Sequence, residues 1–79
     1  MLLNFHDDAK KAMSKIDNKT KGRIFDGLLG LPSKGDIKAL TGKKKGKLRL
    51  RIGDWRVVYY IKDDIIEVLE ITPRGGAYE

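Results

Sequence analysis

The chain has 79 residues, no cysteine and a formal net charge of +6, which bounds it to one domain over residues 1–79 that buries roughly 60–65% of the surface its unfolded chain would expose. A disulfide framework and a thiolate metal site are excluded, and no apolar run approaches the roughly 20 residues of a membrane helix. With 41% hydrophobic and 35% charged residues, the composition is that of a cytoplasmic protein with a single core, and its positive balance favours polyanionic partners such as nucleic acid.

The opening MLLNFHDD carries no basic region of a secretory signal, and Leu2–Phe5 reads as a short edge strand. Asp7 or Asp8 is the expected cap of a first helix, whose Ala9, Ala12, Met13 and Ile16 recur at the spacing of one buried face. Asn18 is the expected cap of a second, with Ile24, Phe25, Leu28 and Leu29 on its inner stripe and Gly30 and Pro32 as its stop. The two helices, joined by Asp17–Lys19, read as an antiparallel hairpin. Ser33–Lys47 is polar and reads as a connecting loop in which Ile37, Ala39 and Leu40 dip back to the core.

After Lys47 the hydrophobic period changes from 3.6 to 2. The stretch KGKLRLRIGDWRVVYYI reads as two strands around a Gly53-Asp54 turn. A two-residue loop sets Ile52 against Trp55, Arg51 against Arg56, Leu50 against Val57, Arg49 against Val58, Leu48 against Tyr59 and Lys47 against Tyr60. One surface is then Leu48, Leu50, Ile52, Trp55, Val57 and Tyr59, which lies on the helices. The other carries Lys47, Arg49, Arg51, Arg56, Val58 and Tyr60. A third strand, Ile65–Ile71, follows the Asp63-Asp64 turn. Its apolar residues fall on both faces, as in a central strand, and its register stays open. The expected fold is α+β: two N-terminal helices packed on a twisted antiparallel sheet of three to four strands.

The basic residues are concentrated. Between Lys43 and Arg56 there are seven, against the single acid Asp54. Opposed like charges on adjacent strands are destabilising by up to about 1 kcal/mol, so the Arg51–Arg56 pairing does nothing for folding. A bound polyanion turns that repulsion into charge-assisted contacts, and the planar fork of arginine suits phosphate oxygens. Lys43, Lys44 and Lys45 read equally as a solvated loop or as a track for phosphates. Tyr60 reads as a packing residue with its hydroxyl in water, base stacking being its functional alternative. Trp55 reads as core. Asp7-Asp8 and Asp63-Asp64 are explained by a helix start and a turn, and His6 reads as a surface residue that cannot build a metal site alone. No metal or cofactor is expected.

The order helix, helix, GKLRLRIGDWRVVYYI, acidic turn, IIEVLEI and PRGGAY resembles the RelE/ParE superfamily of bacterial and archaeal toxins, and its RelE-like branch in particular, over essentially the whole chain. The family pattern is YR(I/L)R(I/V)GDYRV(I/V)Y followed by an apolar strand and a terminal Arg…Tyr segment. RelE-like members are ribosome-dependent mRNA endoribonucleases held inactive by an antitoxin. ParE-like members share the fold and poison DNA gyrase. The resemblance implies catalytic roles for Arg49, Arg51, Arg56, Arg74 and Tyr78. Lys43, Lys44, Lys45, Lys47 and Tyr60 are the candidate contacts to RNA and ribosome. The chain departs from the usual HRRxVY ending, having Pro73-Arg74-Gly75-Gly76-Ala77-Tyr78 instead, so Arg74 stands alone there. The implied activity is metal-independent cleavage with the RNA 2′-OH as nucleophile. The implied partners are a cognate antitoxin, in whose complex the toxin is a monomer, and the ribosome carrying mRNA. The alternatives are a gyrase inhibitor without nuclease activity and a basic module that binds nucleic acid without cutting it.

Overall fold

Two tight turns organise the sheet of a computed structural model that describes residues 2–73. Gly53 supplies a positive φ of 57° to the first, and the second holds Asp63 and Asp64 at φ 53° and 63°. Aspartate tolerates this left-handed region better than most residues, and two successive positive φ values give the primed turn whose twist matches paired strands. Asp63-Asp64 is thus a turn pair, as its sequence indicates.

The elements in chain order are β1 (Leu2–Phe5), α1 (Asp7–Ser14), α2 (Asn18–Leu29), β2 (Asp36–Ala39), a 3-10 turn (Gly42–Lys44), β3 (Leu48–Ile52), β4 (Trp55–Lys62) and β5 (Ile65–Pro73). They form an α+β fold with one five-stranded sheet in the order β1-β5-β4-β3-β2. The sheet is mixed: β1 runs parallel to β5 along an edge, and the other pairs are antiparallel. This is one strand more than expected. The addition is β2, inside the segment that reads as a loop. Of the two apolar residues of its DIKA, Ile37 is half-buried against the core, while Ala39 is exposed and does not dip back to it. Pairing with β3 makes it a strand, which local sequence does not signal.

Both helix caps lie upstream of the expected residues. His6 is the N-cap of α1 without a side-chain capping bond, and Asp7 and Asp8 lie in its first turn, where their charge favours the helix dipole. Asp17, not Asn18, caps α2, accepting from the Thr20 amide at 3.3 Å. Hydrogen bonding from the Thr20 side chain, and then from that amide, holds the Asp17 carboxyl below its ordinary range. Helix α1 lies against β5 and α2 against β3. Ala9, Met13 and Ile16, with Ile24 and Leu28, are buried there, whereas Phe25 and Leu29 are 39% and 70% exposed. The inner stripe of α2 is therefore narrower than its sequence indicates: Phe25 turns aside to meet Phe5 edge-on at 5.7 Å. Close approach of α2 to β3 requires Gly27, where a Cβ would stand 2.6 Å from Ile52 Cδ1.

The β3–β4 register is the expected one from Leu48–Tyr59 to Ile52–Trp55. The ladder ends at Leu48, one step short of the expected Lys47–Tyr60 pair. Leu50, Val57 and Tyr59 are buried under the helices, with Leu48, Ile52 and Trp55 packed beside them. Burial pushes the Tyr59 phenol pKa up.

The register of β5 is resolved by a bulge. Val57 opposes Ile71 and Val58 opposes Glu70, but Tyr59 opposes Val68, so Leu69 is an extra residue. It shifts the alternation by one. Ile66, Val68 and Ile71 can then all reach the helix side core, which strict alternation forbids.

Candidate functional site on the open face of the sheet

The alternation that buries Leu50 and Val57 turns their neighbours away from the helices. The ladders arrange that open face in rows. One row across the strands is Asp36, Arg51, Arg56 and Thr72; the next is Lys38, Arg49, Val58 and Glu70; another is Tyr60, Glu67 and Asn4. Arg49, Arg51 and Arg56 thus share one face in two adjacent rows, Arg51 and Arg56 being direct cross-strand partners. Val58 is 3% exposed yet lies outside the helix-side core, forming an apolar floor between Arg49 and Glu70.

The arginines differ in surroundings. Arg49 is largely covered, its side chain 11% exposed, with Nη2 donating to Asp36 Oδ1 at a long 3.4 Å. Arg51 is exposed and Arg56 half-buried. Asp36 is also the register partner of Arg51, so the edge strand offsets part of the arginine repulsion that the hairpin alone would carry.

Of the expected lysines, Lys44 is drawn onto the face. Its Nζ donates to Glu70 Oε2 at 2.7 Å, carrying the β2–β3 connection towards β5. Local bonds from Lys45 N to Gly42 O and from Lys47 N to Lys44 O shape this turn. Lys43 and Lys45 are exposed and Lys47 is half-buried. Tyr60 is half-buried on the open face, its ring 6.5 Å from that of His6. Arg74 and Tyr78, implied by the family resemblance, lie outside the described residues.

The structure adds groups that the sequence does not single out. His6 Nε2 donates to Glu67 Oε1 at 2.9 Å, and Asn4 Nδ2 donates to the same oxygen at 2.7 Å. Glu67 and Glu70 are three residues apart, so regular alternation would place them on opposite faces. The Leu69 bulge brings both to the open one. No local sequence signal marks that bulge.

Hydrogen bonds from Asn4 and then His6 hold the Glu67 carboxyl below its ordinary value of 4.5. A depressed folded value contributes stability above the unfolded pKa, and that contribution disappears as pH falls through the folded one. Thermal stability is therefore expected to decline on acidification below about pH 5, and Glu67→Gln to flatten part of the decline. Asp17, lowered likewise, remains to supply the rest. Melting curves of both proteins between about pH 6 and pH 3 check this; parallel losses would contradict it.

Comparisons agree with this architecture. Residues 3–78 match the family model described as ParE toxin of type II toxin-antitoxin system, parDE. No curated protein sequence matches the chain significantly. Among solved structures, the archaeal RelE-RelB complex from Pyrococcus horikoshii is similar at 29% identity and TM-score 0.72, covering 96% of this chain and 97% of that one. The toxin-antitoxin complex RelBE2 from Mycobacterium tuberculosis gives 20% identity and TM-score 0.78 over 92% of this chain and 96% of that one. The RelB-RelE complex from Methanococcus jannaschii gives 21% and 0.76 over 99% and 95%. With 76 of its 79 residues spanned by the family model, two helices on a five-stranded sheet, and these structural relatives, the chain belongs to the ParE toxin family of type II toxin–antitoxin systems, within the RelE/ParE superfamily.

Proposed function

We propose that this chain is, over residues 1–79, a toxin that stops translation by cutting ribosome-bound mRNA in the cytoplasm, and that a cognate antitoxin holds it inactive as a single toxin subunit of a complex. The observation that carries the reading is the placement of Arg49, Arg51 and Arg56 on one open sheet face. Cleavage by the RNA's own 2′-OH develops extra charge on the phosphorane, and donors aimed at that charge are the largest electrostatic contribution to such a reaction. Three guanidinium groups over the floor of Val58 supply them. Arg74 stabilises the leaving oxygen, and Tyr78 orients the 2′-OH or stacks on a base. Lys43, Lys44, Lys45 and Lys47 engage phosphates of RNA and ribosome, and Tyr60 offers a ring to a base. Because arginine and tyrosine are poor bases at neutral pH, the ribosome supplies substrate geometry and effective concentration. The antitoxin rests on the solved relatives, which are toxin–antitoxin complexes.

The matched family model favours a second reading, inhibition of DNA gyrase. Induction in cells separates the two. Translation arrest with mRNA cleaved within coding sequence is expected; DNA damage with intact messages would overturn the ribonuclease reading in favour of gyrase. Binding to RNA that weakens steeply with salt, with no cleavage on ribosomes, would overturn both for a passive binder.

A further inference from the structure

The arginines are poor proton acceptors for the 2′-OH, and the fold puts Glu70 in that place. The Leu69 bulge turns its carboxylate onto the open face. It stands in the Arg49 row across the floor of Val58, and diagonal to Arg56, a relation of about 7–8 Å that long side chains span. Lys44 grips only Oε2, at 2.7 Å, and among the described residues nothing is hydrogen-bonded to Oε1. The side chain is 39% exposed, open to a ligand on the face. The competing carboxylates are otherwise engaged. Asp36 is at the sheet edge against Arg49, and Glu67 takes both His6 and Asn4 outside the two arginine rows.

We infer that Glu70 is the general base of the proposed RNA cleavage, with Lys44 as the positioning residue that fixes its carboxylate. This rests on the ribonuclease reading above. Oε1 takes the 2′-OH proton as the 2′-oxygen forms its bond to phosphorus. The bond from phosphorus to the 5′-oxygen breaks, and the departing oxygen takes a proton from water. The hydroxide left behind is neutralised by the proton on Glu70. The products are a 2′,3′-cyclic phosphate and a 5′-hydroxyl. Arg49, Arg51 and Arg56 hold the charge between these events.

The charged groups around Glu70 are Lys44 from the 3-10 turn, Arg49 on β3, Arg56 on β4, and Asp8, Lys11 and Lys15 of α1, which line a groove with it. All remain in a Glu70→Gln variant, so the difference between wild type and variant isolates Glu70. The test is single-turnover cleavage of ribosome-bound mRNA by the full chain across pH. A general base contributes about 10²–10⁴-fold. Glu70→Gln is expected to lose at least about 100-fold and Lys44→Met less than about 10-fold. The wild-type rate should fall on acidification, and the variant should lack that acidic limb. Equal losses for Glu70→Gln and Lys44→Met with an unchanged profile would reduce Glu70 to a tether and overturn the inference. Should Glu70→Gln melt far below wild type, the wild-type profile decides: an acidic limb supports the inference and a flat one overturns it. An active wild type with an equally active Glu70→Gln sinks this inference alone, whereas a wild type inert on ribosomes sinks the ribonuclease reading with it.

Discussion

Alanine at Arg51 or at Arg56 is expected to slow cleavage of ribosome-bound mRNA by about 10²–10³-fold, the cost of removing one preorganised donor from a developing anion. The two residues are cross-strand partners, and on the proposed mechanism both address the same phosphate, so the double variant should lose less than the product of the single losses. Lysine at either position should recover only part of the rate, because a point charge cannot make the paired contacts of a guanidinium. Arg51 is exposed, and its loss should leave the melting temperature within a few degrees of wild type. Arg49 differs: with a side chain only 11% exposed beside Val58, its removal should lower both activity and stability. Growth arrest at normal expression and cleavage on purified ribosomes are the measurements. Undiminished arrest by Arg51→Ala and Arg56→Ala would remove the arginine face from the mechanism.

Gly35→Ala should strongly destabilise the protein. Gly35 sits between α2 and β2 at φ 123°, and a Cβ there would stand 2.5 Å from Leu50 Cδ1. Leu50 is 1% exposed at the centre of the helix-side core, so it has no room to yield. Strain of this backbone kind costs about 1–3 kcal/mol and forced overpacking about 1–3 more. Chains of this length have a total stability on the order of 4–12 kcal/mol. At about 4–8 °C per kcal/mol, the melting temperature should fall by at least about 8 °C. Gly22→Ala is the contrast: it lies in α2, and nothing approaches its Cβ position within 4 Å. Removing a helical glycine there should stabilise by about 0.5–1 kcal/mol. Thermal melts of the two variants compare the positions, and a Gly35→Ala protein melting with wild type would contradict the packing argument.

The β3–β4 hairpin, its register and its two faces were legible in the sequence because alternation and a Gly-Asp turn are local signals that agree. So were the buried residues of α1, the α+β class, and the gathering of Arg49, Arg51 and Arg56 on one side. Strand β2 was not, since DIKA becomes a strand only through the ladder that β3 offers it. The cap of α2 moved by one residue because Asp17 and Asn18 compete for the same role and geometry chooses between them. The outward turn of Phe25 and Leu29 reflects how narrow a stripe the sheet covers. The carboxylates of the open face depended most on tertiary structure. One inserted residue, Leu69, decides which way Glu70 points, and the ladder that accommodates it belongs to two strands together. Sequence alone determined where the positive charge accumulates, because period-2 alternation follows from the backbone. The acids that meet that charge were decided by strand pairing, because a bulge and an edge strand exist only once the partner strand is in place.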